Sequence, residues 1–287
     1  MLQNEANFGF RTPGMLIRVG FEISYGAVAE TPMVVMLRIH PSRAKDIVGE
    51  ETIITEPDVR IRYYHDTFGN ICGRLTAPPG GITFRGDALV RDTGLPDAVV
   101  PEAEQLPIEQ LPDEVLLYLM ASRYCETDRL TDFAWSQFGN TPPGWQRVQA
   151  INAWVHNHVR FDYQQARPTK SAFDVFQEQQ GVCRDFAHLA LTLCRCMNIP
   201  ARYVTGYMGD IGIPYDPAPM DLSGWYEVYL SGKWYTFDAR HNKPRIGRIL
   251  MGTGRDAADV ALSTNFGPMV LNKFVIISDE VIEANAS

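Results

Sequence analysis

QEQQGVCRDFAHLALTLCRCMNIPARYVTGY, residues 177–207, decides how this chain is read. After Gly181-Val182, the residues Phe186, Ala187, Ala190, Leu191, Cys194 and Met197 recur at helical spacing, and Asn198 and Pro200 stop the run. Cys183 therefore falls in the first turn of a helix. There, unpaired N–H groups and the positive end of the helix dipole favour a thiolate, so the position predicts a lowered thiol pKa and a nucleophile. Cys194 and Cys196 lie deeper in the same helix, and Cys72 and Cys125 have no reactive company, so these four read as packing residues. Pairing Cys194-x-Cys196 with His156-x-His158 as a metal site fails, because residues two apart on a helix point about 200° from one another.

Downstream the period changes to two. RYVTGYMG at 202–209, GWYEVYL at 224–230, KWYTFDAR at 233–240 and KFVIIS at 273–278 read as strands. Ser231-Gly232 between Leu230 and Lys233 is a two-residue hairpin signal, which would set Trp225 opposite Asp238 and Ser223 opposite Arg240. Asp238 then ends a strand where an acid could orient an imidazole. Upstream, DEVLLYLMASRY at 113–124 and WQRVQAINAWVHNHVRFDY at 145–163 carry helical spacing. Helices first and strands after, without regular alternation, predict an α+β core.

The first third differs. LIRVGFEISY, PMVVMLRIH, VRIRYYHDTFGNICGRLT and GITFRGDALV, within 16–90, are β-rich runs separated by turn residues, with Asp66 and Phe68-Gly69-Asn70 turning one long hairpin. Residues 93–112 hold four prolines and no sustained period. The expected organisation is an antiparallel β-sandwich-like domain over 1–95, a linker over 96–112 and the α+β core over 113–287.

Composition bounds the function. The 287 residues carry 26 Lys+Arg against 34 Asp+Glu, a net charge of -8, so no broad positive field would draw nucleic acid or anionic lipid. No stretch approaches the roughly 18 apolar residues that span a bilayer. MLQNEANFGFRTPG at the start is polar where a secretory signal is apolar, and five cysteines are too sparse for a disulfide scaffold. These features predict a cytoplasmic protein with free thiols. Gly252-Thr253-Gly254 is too short for a phosphate loop, and Asp256 and Asp259 are too few ligands for calcium, so neither cofactor nor metal is expected.

The motifs Gly181-Val182-Cys183-Arg184-Asp185-Phe186-Ala187, Ile199-Pro200-Ala201-Arg202-Tyr203-Val204-Thr205-Gly206-Tyr207, and Trp225-x-Glu227-Val228-Tyr229 followed by Trp234-Tyr235-x-Phe237-Asp238 resemble the transglutaminase-like superfamily. The β-rich first third is similar to the N-terminal region of bacterial members. The resemblance implies a papain-type fold, Cys183 as nucleophile, Asp238 as third member of a triad, and amide chemistry on peptides or proteins. Its base is a His two residues before the strand Trp, in His-Ala-Trp. Here Ser223-Gly224-Trp225 puts Ser223 in that place, and a hydroxyl cannot hold a proton near neutral pH.

Two readings follow. His188 projects about 140° from Cys183 on the same helix, His156 and His158 read as surface residues, and His40 and His65 belong to the first domain. His241 could serve as base if the chain turns after Ala239. That gives a cysteine-dependent amide hydrolase or acyl transferase, with Gln177 as a candidate oxyanion donor and Trp225 as a candidate wall for the acyl group. Otherwise the chain keeps the fold and is a catalytically silent peptide-binding module.

Overall fold

The computed structural model describes residues 14–214, 217 and 220–281. Most of the polar N-terminal stretch read above lies outside them. The chain opens with β1 (Met15–Ala27), β2 (Thr31–Val35), β3 (Ile47–Glu56), β4 (Arg62–His65), β5 (Ile71–Ala77) and β6 (Ile82–Asp92). Helices α1 (Asp113–Leu116), α2 (Thr127–Phe138) and α3 (Trp145–His158) precede β7 (Arg160–Phe161). Then come α4 (Ala172–Glu178), β8 (Gln180–Gly181) and α5 (Cys183–Cys196). Strands β9 (Ala201–Met208), β10 (Ser223–Leu230), β11 (Lys233–Phe237), β12 (Arg248–Gly254), β13 (Ser263–Asn265) and β14 (Met269–Glu280) complete the order.

Two antiparallel sheets, β14-β1-β6-β3 and β13-β2-β5-β4, share one apolar core in which Ile17, Val19, Phe84 and Val90 meet Met33, Val35 and Leu75. Alternation explains the register: in β1, Ile17, Val19, Phe21 and Ile23 turn inward at period two. The strand expected at 273–278 forms within β14. β14 pairs with β1 from Ile17–Glu280 to Ala27–Met269, so the end of the chain returns to edge the first sheet. Its apolar run announced a strand, but nothing local named its neighbour.

The third sheet, β11-β10-β9-β12, is covered by α5, with α2, α3 and α4 packed against that helix. All of α5 from Asp185 to Cys196 is buried. The expected helix over 113–124 is only α1 and one 3₁₀ turn, Leu117–Leu119. Helices α2 and α4 were not anticipated from the sequence. α4 is marked by Ser171, whose hydroxyl and Asp174 form a capping box.

The hairpin turn of the sandwich reaches the core. Asn70 is fully buried; its Nδ2 donates to Thr253 O at 2.9 Å and its Oδ1 accepts from Thr253 N–H at 2.8 Å, so its amide pairs with β12 as a strand residue would. Asn70→Ala is expected to destabilise by about 1–3 kcal/mol, because it orphans a buried N–H and C=O. Chemical denaturation checks this; a loss below about 0.5 kcal/mol would show that Thr253 finds other partners.

Candidate active site

Cys183 opens α5, and its surroundings explain the Gly-Val-Cys-Arg-Asp sequence. Asp185 Oδ2 accepts the Val182 N–H at 3.0 Å, capping the helix, and a Cβ at Gly181 would lie 2.6 Å from that carboxylate. Only glycine fits there. Lys170, wholly buried, donates to Gln180 O and meets Glu178, both at 3.0 Å, fixing the approach to Cys183. The parallel pair β7–β8 sets Phe161 beside Gly181.

The hairpin forms at Ser231-Gly232 as expected, pairing Leu230 with Lys233 through Tyr226 with Phe237. It then stops. Asp238 leaves the ladder, so the expected pairs Trp225–Asp238 and Ser223–Arg240 are not made, and Ser223 pairs with Gly206 of β9 instead. Beyond the strand, Asn242 adopts φ +49° and its N–H returns to Asp238 O at 2.8 Å. This turn brings His241 back. Its N–H donates to Asp238 Oδ1 at 3.1 Å, and its Nδ1 lies 2.9 Å from Oδ2. A carboxylate only accepts, so Nδ1 carries the proton and Nε2 is left as the acceptor.

Helix α3 holds that turn with one polar face. Asn152 Nδ2 donates to Asn242 Oδ1 at 2.8 Å and to Asp238 O at 3.3 Å, while its Oδ1 accepts from the Tyr226 hydroxyl at 2.8 Å. Gln149 reaches Asn242 Oδ1 at 3.1 Å, and His156 Nδ1 donates to the carbonyls of Ala239 and Arg240 at 3.1 and 3.0 Å. The reading of His156 and His158 as surface residues is corrected: both are half-buried, and His158 Nε2 donates to Phe176 O at 2.9 Å. The three- and four-residue spacing of Gln149, Asn152 and His156 was the available signal; it marks polar residues on the one face of α3 that meets residues 238–242.

Cys183, Ser223, Arg240 and His241 line one cleft of about 680 Å³, with Phe161 and Tyr163 on one side and Ile276, Ile277 and Asp279 of β14 on another. Gln177 is exposed on α4 and is not among the lining residues. Trp225 is 2% exposed, with the Arg248 guanidinium 4.9 Å from its ring centroid, so it packs beneath the site and does not line the cleft. Gly224 replaces the Ala of the family pattern for a visible reason: a Cβ there would lie 2.2 Å from the Tyr203 hydroxyl. His188 is fully buried, and its Nε2 accepts from Ala257 N–H at 3.1 Å.

The electrostatics correct one expectation. Burial pushes the Cys183 thiol above its ordinary value, and the Gly224 N–H, the Arg240 charge and the Arg184 N–H offset this only in part. The helix terminus alone does not make a thiolate. Asp238 goes the other way: burial would raise it, but the His241 hydrogen bond and the Arg248 charge outweigh burial and hold it well below the usual carboxylate range. Its contribution to stability is therefore present above about pH 4 and is lost as pH falls through that depressed value.

Residues 132–239 match the family model of the transglutaminase-like superfamily. An uncharacterized protein of Mycobacterium leprae (strain TN) is 26% identical over 255 residues, covering 83% of this chain and 88% of that protein. Kyphoscoliosis peptidase of Mus musculus is 29% identical over 103 residues, covering 33% of this chain and 15% of that protein. Among solved structures, a candidate cysteine protease from Cytophaga hutchinsonii superposes with a TM-score of 0.82 at 29% identity, covering 95% of this chain and 93% of that one. No helix among the described residues is long and apolar enough to cross a membrane. With its helix-opening cysteine and antiparallel sheet, the segment at 132–239 matches the transglutaminase-like superfamily, and the fold is that of the Cytophaga hutchinsonii protein.

Proposed function

We propose that the protein is a cysteine-dependent amide hydrolase or acyl transferase acting on peptide or protein amides, with Cys183 as nucleophile, His241 as base and Asp238 as the acid that orients it. One observation carries the reading: His241, whose Nδ1 lies 2.9 Å from Asp238 Oδ2, lines the same cleft as a cysteine on a helix terminus. Ser223 occupies the family's histidine position and lines that cleft without supplying a base. The imidazole arrives from the other side of Asp238 in the chain.

The chemistry follows from the groups present. His241 Nε2 takes the Cys183 proton as Sγ bonds to the amide carbon, and the oxyanion forms beside the Gly224 N–H and the backbone N–H of Cys183. The imidazolium returns that proton to the leaving nitrogen as the C–N bond breaks, leaving a thioester. Water or an amine, deprotonated by the same imidazole, attacks the thioester carbon and the thiol regains its proton. Water completes a hydrolysis, an amine a transamidation.

Alkylation with iodoacetamide at pH 6–7, mapped by mass spectrometry, tests the reading. Cys183 is expected to react well ahead of Cys194 and Cys196, which are buried in α5, and of Cys125, whose thiol burial pushes up to about 11. A Cys183 as slow as these would favour a catalytically silent peptide-binding module on the same fold.

A further inference from the structure

Asp238 presents one oxygen to two donors. Its Oδ2 receives His241 Nδ1–H at 2.9 Å and Arg248 Nη2–H at the same 2.9 Å. Arg248 lies on β12, is 9% exposed, and directs Nε to the Asp97 carboxylate, 2.9 Å from Oδ2 and 3.2 Å from Oδ1. Asp97 belongs to the proline-rich segment joining sandwich and core. It is fastened there twice: Arg245 N–H donates to its Oδ2 at 2.9 Å, and its own N–H donates to Arg245 O at 2.9 Å. Two carboxylates thus flank one buried guanidinium, and the far one comes from a segment with no other part in the site.

We infer that Arg248 is a positioning residue: it shares Asp238 Oδ2 with His241, and Asp97 governs through it how much negative charge Asp238 presents to the imidazole. The inference rests on His241 being the base. In a water-poor interior, charges a few ångströms apart act strongly on one another, and a hydrogen-bonded line of alternating charge passes that influence along. A thiolate–imidazolium pair is stabilised by whatever negative charge Asp238 has left after Arg248 takes its share. Other charged or titratable groups near this point include His156 on α3, which meets the turn at the Ala239 and Arg240 carbonyls, and, lining the cleft with His241, Cys183 on α5, Tyr163, Asp210, Asp221, Asp279 on β14, Arg240, Lys243 and Arg245. None of these changes in the variants below.

The sign differs for the two ends of the line. Arg248→Met removes the competing cation, so the cysteine–imidazole pair keeps its proton to higher pH. Asp97→Asn frees the whole Arg248 charge to act on Asp238, so the pair releases its proton at lower pH. Iodoacetamide rates at Cys183, followed across pH in the full chain, read the midpoint directly.

The expected result is a rise of at least about half a pH unit in Arg248→Met and a fall of similar size in Asp97→Asn, roughly a threefold change in proton affinity each way. Arg248→Lys should stay near the parent midpoint. Asp97→Asn should have little effect in the Arg248→Met background, as coupling through the guanidinium requires. Unmoved midpoints with slower rates would reduce Arg248 to a packing role and overturn the inference, and so would an Asp97→Asn shift that survives the loss of Arg248. If Arg248→Met does not fold, a downward shift in Asp97→Asn beside a parent-like Arg248→Lys supports the inference, and an unshifted Asp97→Asn overturns it. His241→Ala separates the two failures: a parent profile identical to that variant's removes His241 as base, whatever Arg248 does.

Discussion

His241→Ala is expected to slow Cys183 chemistry at neutral pH by about 10² to 10⁴, the usual worth of a positioned general base. The reason lies in the cysteine's environment. Burial raises its thiol, so at pH 7 the proton must go to a partner before the sulfur can attack. The variant's reactivity should therefore emerge only at alkaline pH, where the thiol ionises unaided, and there the two proteins should converge. Iodoacetamide alkylation and turnover of a peptide-amide library, each measured from pH 5 to 10, provide the comparison. Equal rates at pH 7 would mean that His241 takes no proton, and with Ser223 unable to do so, the enzymatic reading would lose its base.

The largest expected effect on stability is at Arg195. This side chain is 2% exposed inside α5, yet it is an anchor for three separate backbone stretches. Nη1 donates to Met120 O at 3.0 Å and to Ser122 Oγ at 3.1 Å; Nε and Nη2 donate to Ala201 O at 3.0 and 2.9 Å; Nη2 also donates to Arg255 O. Arg195→Met nearly preserves side-chain length while stranding those carbonyls without donors. A buried acceptor left unpaired costs about 1–3 kcal/mol, and some relaxation is available, so a total near 3 kcal/mol is expected. In a chain of this size that lowers the thermal midpoint by on the order of 5–10 °C. Calorimetry of the folded variant measures it; a drop of under about 2 °C would show that water or backbone movement replaces the guanidinium.

Arg195 also shows why some of the architecture was hidden from the sequence. An arginine in the last turn of an amphipathic helix reads as solvated, and only the approach of residues 120–122, 201 and 255 makes it a buried hub. The same holds at the site. Cys183 could be singled out because its signal is local: a glycine, a helix start, and apolar residues at period 3.6. Arg248 and Asp97 carried no comparable mark. They lie far apart in the chain, each looks like an ordinary charged residue, and their meaning comes from sharing Asp238.

What the amino-acid order determined by itself was each element whose pattern repeats within a few residues. It marked the alternating strands of the sandwich, the helix that opens at Cys183, the Ser231-Gly232 turn, and the departure from the family pattern at Ser223. Tertiary structure decided which strands became neighbours, sending β14 back to β1. It also decided that the thiol is raised and not lowered, and that the chain turns after Ala239 to return His241 to Asp238. The division is physical: hydrophobic periodicity and turn propensity act over a few bonds, whereas strand partnership, desolvation and the pairing of buried charges depend on groups brought together only when the chain has closed.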